Sequence, residues 1–465
     1  MTKLQPSPPP VRVVPPRDPL PALRLLRTVI RNPIEAWPQA VYDEPIYRRR
    51  LLNREAVFVM DPDLIRAVLV DEAASLTKAD AMLRSLEPAL GQGLLTADGE
   101  RWRWQRRAAA PIFRHDRILG FLPDMISAAE QRRDAWLGRA GDTLDVAHEM
   151  MQTTFAIIVE TMLSGRSGID ADRVERALTD YLESTSWTVA LAMLGAPRWV
   201  PYPGQKRAER ARDYLRAEVL RVVAARRASA ERRPDLIGLL LEAEDPETGR
   251  SMSDQDLADN LLTFITAGHE TTALALTWTF YLLDLYPDIA DRMLAEIETV
   301  TGGNPLRPEH VAELAYTRQV LSEAMRLYPP APVVVREAER DILLGGERIT
   351  AETTIYIPVY AIHRHALIWD NPDRFDPDRF APEPAKARHR YAYLPFGAGP
   401  RICIGMSFAL LEAAAILGVL LPAVRLSRTS ERAPDLKLRI TLRPGAGLPM
   451  RVERALPSEN RRPQP

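Results

Sequence analysis

Apolar positions recur at helical spacing along most of the chain, and one segment dominates the pattern. Ser253 opens it, with the acid Asp256 three residues on as in a capping box, and the apolar run continues to about Leu285, ahead of Pro287. At about 1.5 Å per residue it would be roughly 48 Å long, and a helix so long and so apolar must cross a protein interior. Further helices are predicted from 61 to 70, from about 100 to 107, through a long tract at 117–300, over 321–327 before Pro329-Pro330, and over 407–421. Residues 20–50 read as helices with loops, and 81–95 as an irregular apolar segment with glycines at 91 and 93. Strand signals are confined to 56–60, 333–335, 340–360 and 435–452. The expected fold class is mainly α, with a small β region. Composition never shifts sharply and no repeat appears. The expected organisation is therefore a proline-rich flexible arm at 1–18, one domain over 19–455, and a flexible tail at 456–465.

Composition narrows the function classes. Of 465 residues, 46% are hydrophobic and 26% charged, and the formal net charge is −1, so nothing global favours nucleic acid or an anionic membrane. A single cysteine excludes an internal disulfide and fits a reducing cytoplasm. The longest apolar stretch, 408–424, contains Glu412 and is too short for a span, and the N-terminus has no signal-type core. We therefore expect no integral membrane anchor, a cytoplasmic location and a monomer.

Two places break the bland pattern. The middle of the long helix reads Ala267-Gly268-His269-Glu270-Thr271-Thr272, an acid, two hydroxyls and a glycine where a core helix should be apolar. A kinked helix with a satisfied buried Glu would also give this pattern. Gly268 would let a ligand approach the backbone, and Thr271 can bond back to a carbonyl. The second place is the lone thiol. Cys403 sits in Phe396-Gly397-Ala398-Gly399-Pro400-Arg401-Ile402-Cys403-Ile404-Gly405, just before an apolar helix. It is either a small buried hydrophobe or a thiolate held at a helix N-terminus. Structural zinc needs several Cys or His ligands, which no Cys-x-x-Cys pair supplies here, whereas haem iron can be held by one thiolate.

The run Phe396-x-x-Gly399-x-Arg401-x-Cys403-x-Gly405 resembles the haem-binding signature of the cytochrome P450 superfamily. Three further motifs occur in the family's order, so the resemblance covers about 40–452. Trp102 and Arg106 resemble its Trp-x-x-x-Arg, Ala267–Thr272 its Ala/Gly-Gly-x-Asp/Glu-Thr, and Glu323 and Arg326 its Glu-x-x-Arg. Asp378-Arg379 stands where the family has Glu-Arg, which keeps the charge. The resemblance implies a helical prism with a small β region, haem b as cofactor, and Cys403 as its axial metal ligand. Gly397 and Gly405 belong to the haem-binding loop, Ala267 and Gly268 to the helix beside the iron. It implies that Trp102, Arg106, Arg336 and Arg401 serve the propionates, that Thr271 and Glu270 carry the oxygen and proton chemistry, and that Glu323, Arg326 and Arg379 are structural. The implied reaction is monooxygenation of a hydrophobic small molecule by dioxygen, hydroxylating or epoxidising it. Met82, Leu83, Leu262, Phe264 and Val334 are candidates for the substrate pocket. With no reductase domain recognisable in the sequence, electrons would come from a ferredoxin or flavodoxin-type donor with its reductase, steered to a basic face of Arg103, Arg107, Arg114, Lys386, Arg388 and Arg390. A peroxide-dependent peroxygenase of the same fold and a non-catalytic haem sensor remain as alternatives; the first would depart from Glu270-Thr271 and the second would not need it.

Overall fold

A computed structural model describes residues 9–51, 54–163, 170–229 and 235–455. Its centre is the helix Asp254–Leu285. Ser253 caps it as expected: its hydroxyl accepts from the Asp256 amide and its own amide donates to the Asp256 carboxylate, each at 3.2 Å. Between Asp256 and Leu285 every residue is buried except Thr266, Ala267, Gly268, Thr271 and Asp284. Val146–Leu163 packs along one side of this central helix, Gln205–Ala228 crosses it, and Ala315–Leu327 and Met406–Leu420 lie against its C-terminal half. Near its end Trp278 stacks on Tyr328 at 4.3 Å, which locks the helix to the segment after Leu327.

The β structure is small. One sheet has the order 46–51, 54–59, 354–357, 334–338, 76–77, with Val57 beside Ile355 in its one parallel pair. Three strands join 143–145, 449–454 and 424–428. A hairpin of Leu436–Leu438 and Leu442–Pro444 returns to the central helix, where Trp278 Nε1 donates to the Leu442 carbonyl at 3.0 Å.

Three expectations change. Residues 46–51, read as helix and loop, form the outer strand of the sheet; its arginines suit an edge, where charge discourages further pairing. The segment expected to be irregular is mostly the helix Asp80–Leu90, ended by Gly91 at φ +60°. A Cβ at Gly91 would lie 2.3 Å from the Asp259 carboxylate, and one at Gly93 2.4 Å from the Asp259 carbonyl oxygen, so both glycines are needed for this loop to press on the central helix. Over its described part, the arm expected to be flexible is strapped down. Val13 is buried and its amide donates to Tyr360 Oη at 3.0 Å, Tyr328 Oη donates to the Val11 carbonyl at 2.8 Å, and Arg12 pairs with Asp373 at 2.8 Å. Residues 1–8 and the expected tail lie outside the described residues.

Candidate active site

The thiol loop is held by its own backbone. The Cys403 amide donates to the Phe396 carbonyl at 3.0 Å, and Gly397 and Gly399 take φ of +68° and +72°. At Gly399 a Cβ would come within 2.2 Å of the Leu69 carbonyl oxygen, so this turn is pressed against a neighbouring backbone. At Gly397 and Gly405 a Cβ would meet no protein atom within 4 Å, and Gly405 has an ordinary φ of −88°. Packing within the protein therefore does not call for glycine at 405; a flat group laid against the backbone beside the thiol does. Cys403 keeps exposed surface although protein encloses it. That enclosure pushes the thiol up, opposed by the Gly405 amide and the Arg106 guanidinium, which favour the thiolate.

Around the loop the structure gathers cations. Helix Gly99–Ala109, capped by Asp98, carries Trp102 and Arg106. Arg401 lies over the Trp102 ring at 4.3 Å and pairs with Asp98. Lys78 joins the same group: its Nζ donates to the Ala97 carbonyl and its amide to the Asp98 carboxylate. Burial, then repulsion from Arg401, lowers Lys78 to about 7 and Arg336 to about 10. The Arg336 side chain donates to its neighbour's carbonyl, Val335 O, at 2.9 Å. Asp98 is the carboxylate that faces Lys78, Arg336 and Arg401. An excess of enclosed positive charge over one carboxylate fits an anionic ligand, and two propionates satisfy it. Neither Lys78 nor Asp98 stands out in the sequence, because each acquires meaning only through Arg401, some three hundred residues away.

The central helix opens one short stretch. Ala267 is exposed and Thr271, one turn on, is half-buried, on a helix otherwise enclosed. Thr271 Oγ1 donates to the Ala267 carbonyl at 2.7 Å, which leaves its lone pairs free to accept. Gly268 also has a packing neighbour: its Cβ position lies 3.0 Å from Ile158 Cδ1 of the adjacent helix. His269 is enclosed, with Nδ1 2.6 Å from the Ile265 carbonyl and its ring edge-on to Phe155, consistent with a structural role. Glu270 is turned away from Thr271. Its carboxylate accepts from Thr441 Oγ1 and from Arg443 Nη2, both on the C-terminal hairpin. Thr272 is buried on the side of Glu412, a carboxyl that burial pushes up to about 8, moderated by the Thr272 hydroxyl.

Behind the loop is a rigid frame. Glu323 and Arg326 are fully buried and doubly bonded at 2.6 and 2.7 Å. Arg326 also donates to the carbonyls of His363, Pro372 and Arg374, and Arg379 lies 3.5 Å from Glu323. His363 ties this frame to the thiol loop: its Nδ1 lies 3.2 Å from the Arg326 carbonyl and its Nε2 accepts from the Leu394 amide at 2.8 Å. Burial, then Arg326, lowers His363 to about 3, so it stays neutral and can accept from that amide.

Of the pocket candidates, Leu262 and Phe264 are packed in one apolar cluster with Leu86, Leu90 and the half-buried Phe113, Phe264 edge-on to Phe113 at 5.3 Å. Met82 lies at its margin, and Leu83 and Val334 are half-buried. A cleft lined by Glu55, Ala79, Ala81, Ala192, Met193, Glu337 and Tyr356 includes none of these five candidates, though Ala81 precedes Met82 in the chain. The expected basic face is largely neutralised. Arg107 makes two 2.8 Å bonds to Asp245, Arg103 pairs with Glu100, Arg114 pairs with Asp116, and Arg388 covers the Trp369 and Phe380 rings.

Comparison with known proteins agrees with this geometry. The family model described as Cytochrome P450 matches residues 16–447. Cyclooctatin synthase of Streptomyces melanosporofaciens is 34% identical over 392 residues, covering 84% of each chain. Cyclooctat-9-en-7-ol 5-monooxygenase of the same organism is 32% identical, covering 85% of each. The crystal structure of the cytochrome P450DA heme domain superposes with a TM-score of 0.79 at 27% identity, covering 90% of this chain and 91% of that one. Among the described residues no helix is long and apolar enough to cross a membrane. A lone thiol in a cradle of glycine and arginine, an acid and an alcohol on an opened core helix, and these likenesses lead to one conclusion: the chain belongs to the cytochrome P450 family and is a haem-thiolate monooxygenase.

Proposed function

We propose that the cofactor is haem b, which Cys403 would hold through its thiolate and whose propionates Trp102, Arg106, Arg336, Arg401 and Lys78 would bind. The carrying observation is the Cys403 loop, where Gly405 lacks a packing reason and three enclosed cations, Lys78, Arg336 and Arg401, face the one carboxylate of Asp98. Bound haem supplies the reductive activation of dioxygen, in which one oxygen atom enters the substrate and the other leaves as water. This chain's residues bind and enclose. Arg106 and the Gly405 amide favour the thiolate, and Thr271, with free lone pairs on the open stretch, holds a water for protonation. Glu270 passes protons toward it.

The substrate is a hydrophobic small molecule, consistent with the apolar surroundings of Met82, Leu83, Leu262, Phe264 and Val334. The Streptomyces relative named for cyclooctat-9-en-7-ol suggests that alcohol as a first compound to try. Electrons come from a separate ferredoxin or flavodoxin-type donor with its reductase, and the protein works as a cytoplasmic monomer whose haem domain spans 19–455. A spectral binding screen tests the substrate class: apolar alcohols should shift the Soret band of the haem-loaded protein. A library in which only polar or charged compounds do so would refute it.

A further inference from the structure

Glu270 and Thr271 are adjacent, yet their side chains diverge by about 100° around the helix. Thr271 stays on the open stretch, while the Glu270 carboxylate, 7% exposed, is bound to Thr441 and Arg443 of the hairpin Leu436–Leu438/Leu442–Pro444. This ion pair is built differently from the frame pair. Glu323 and Arg326 meet through two bonds, and Arg326 spends its remaining donors on three carbonyls. Arg443 meets Glu270 through one nitrogen, shares that nitrogen with Thr441 Oγ1 at 3.2 Å, and leaves its Nε buried without a partner. A one-point pair with an unsatisfied guanidinium opens far more readily than a doubly bonded one.

The hairpin also has a mechanical connection. Its root is fixed by Trp278 on the Leu442 carbonyl and by the Leu442 amide on the Pro330 carbonyl, each at 3.0 Å. Its turn is attached elsewhere: Arg439 donates to Ser186 Oγ at 3.0 Å, on the helix Thr185–Met193. Ala192 and Met193 of that helix line the cleft that Ala81 also lines. One hydrogen bond, Arg439 to Ser186, therefore joins the helix that lines the cleft to the turn that carries Thr441.

We propose that Arg443 is a positioning residue that holds Glu270 off the open face of the central helix, and that opening this pair, driven from the cleft through the hairpin turn, releases the carboxylate to carry protons. The proposal rests on the assignment of Glu270 as proton carrier. The charged or titratable groups set against Glu270 are Arg443 and its helix neighbour His269.

The test uses the substrate-free holoenzyme with a surrogate plant-type ferredoxin and its reductase. The reading is peroxide release, in which dioxygen takes two electrons from the donor and two protons from the protein. With the latch intact it should be slow. Arg443→Ala should raise it by about 10²-fold, the scale of a positioned proton donor. Arg443→Lys, which keeps the charge, should stay near wild type. Glu270→Gln/Arg443→Ala should return to the slow rate. Hydrogen exchange of the 436–444 amides, read on the same samples, should quicken in Arg443→Ala and not in Arg443→Lys; Arg443→Gln replaces the alanine variant if that one fails to keep haem. If Arg443→Ala loosens the hairpin without raising peroxide release, Arg443 is a structural pin and the latch is refuted. If release rises equally with and without Glu270, the hairpin has admitted water, and the proton role of Glu270 fails instead.

Discussion

Two adjacent threonines divide the labour of the central helix. Thr271 lies on the only opened stretch in its middle, with Oγ1 donating to Ala267 and its lone pairs free. Thr272 is buried against Glu412. Thr271→Ala should therefore still bind haem, substrate and carbon monoxide, while product per electron pair falls by about 10²-fold or more and hydrogen peroxide makes up the difference. Thr272→Ala should change stability and leave that ratio alone; the reverse result would put the helix register one residue out. Glu412 gives a second test. The folded protein keeps its proton up to about pH 8, whereas the unfolded chain releases it near the ordinary 4.5. Stability is therefore lost as pH rises through that window. Glu412→Gln should melt higher than wild type at pH 8, with the gap closing by pH 5; a gap independent of pH would show that Glu412 does not titrate there. At this scale the sequence displayed what is chemically odd by itself: a lone Cys403, an acid and an alcohol in an apolar helix. Lys78, Asp98, Arg443 and Glu412 are ordinary residues in sequence. Their roles come from partners that only the folded chain brings near.

Elements were legible where a local signal and a long-range one coincide. The Ser253/Asp256 cap and the unbroken apolar run define Asp254–Leu285 at both ends. Residues 46–51 carry three arginines and no strand pattern, and become a strand because 54–59 offers an edge to pair with. The Glu323/Arg326 pair was visible as two charges three apart, and the family resemblance added Arg379, but the carbonyl partners at 363, 372 and 374 come only from the fold. Because the pair is fully enclosed, Glu323→Ala strands a buried guanidinium at a cost of about 3–5 kcal/mol. We expect loss of folding or of haem loading before any change in the chemistry of the molecules that do load. A haem-replete Glu323→Ala protein with an unchanged melting temperature would contradict the frame described here.

For the whole molecule, charge and surface set how electrons arrive. Arg103, Arg107 and Arg114 are already paired, which leaves Lys386 and Arg390, exposed just ahead of the thiol loop, to steer the acidic donor proposed above. The rate of reduction by an acidic ferredoxin should fall with ionic strength, and charge reversal at Lys386 and Arg390 should slow it and flatten that dependence. Unchanged rates would move the docking face elsewhere. All of this depends on one ligand. The most direct measurement is the carbon monoxide difference spectrum of the reduced protein, wild type beside Cys403→Ser. The wild-type protein should give the strongly red-shifted Soret band of thiolate-ligated haem, and Cys403→Ser should lose that band even where haem is retained. A red-shifted band that survives in Cys403→Ser would contradict the assignment of Cys403 as the axial ligand.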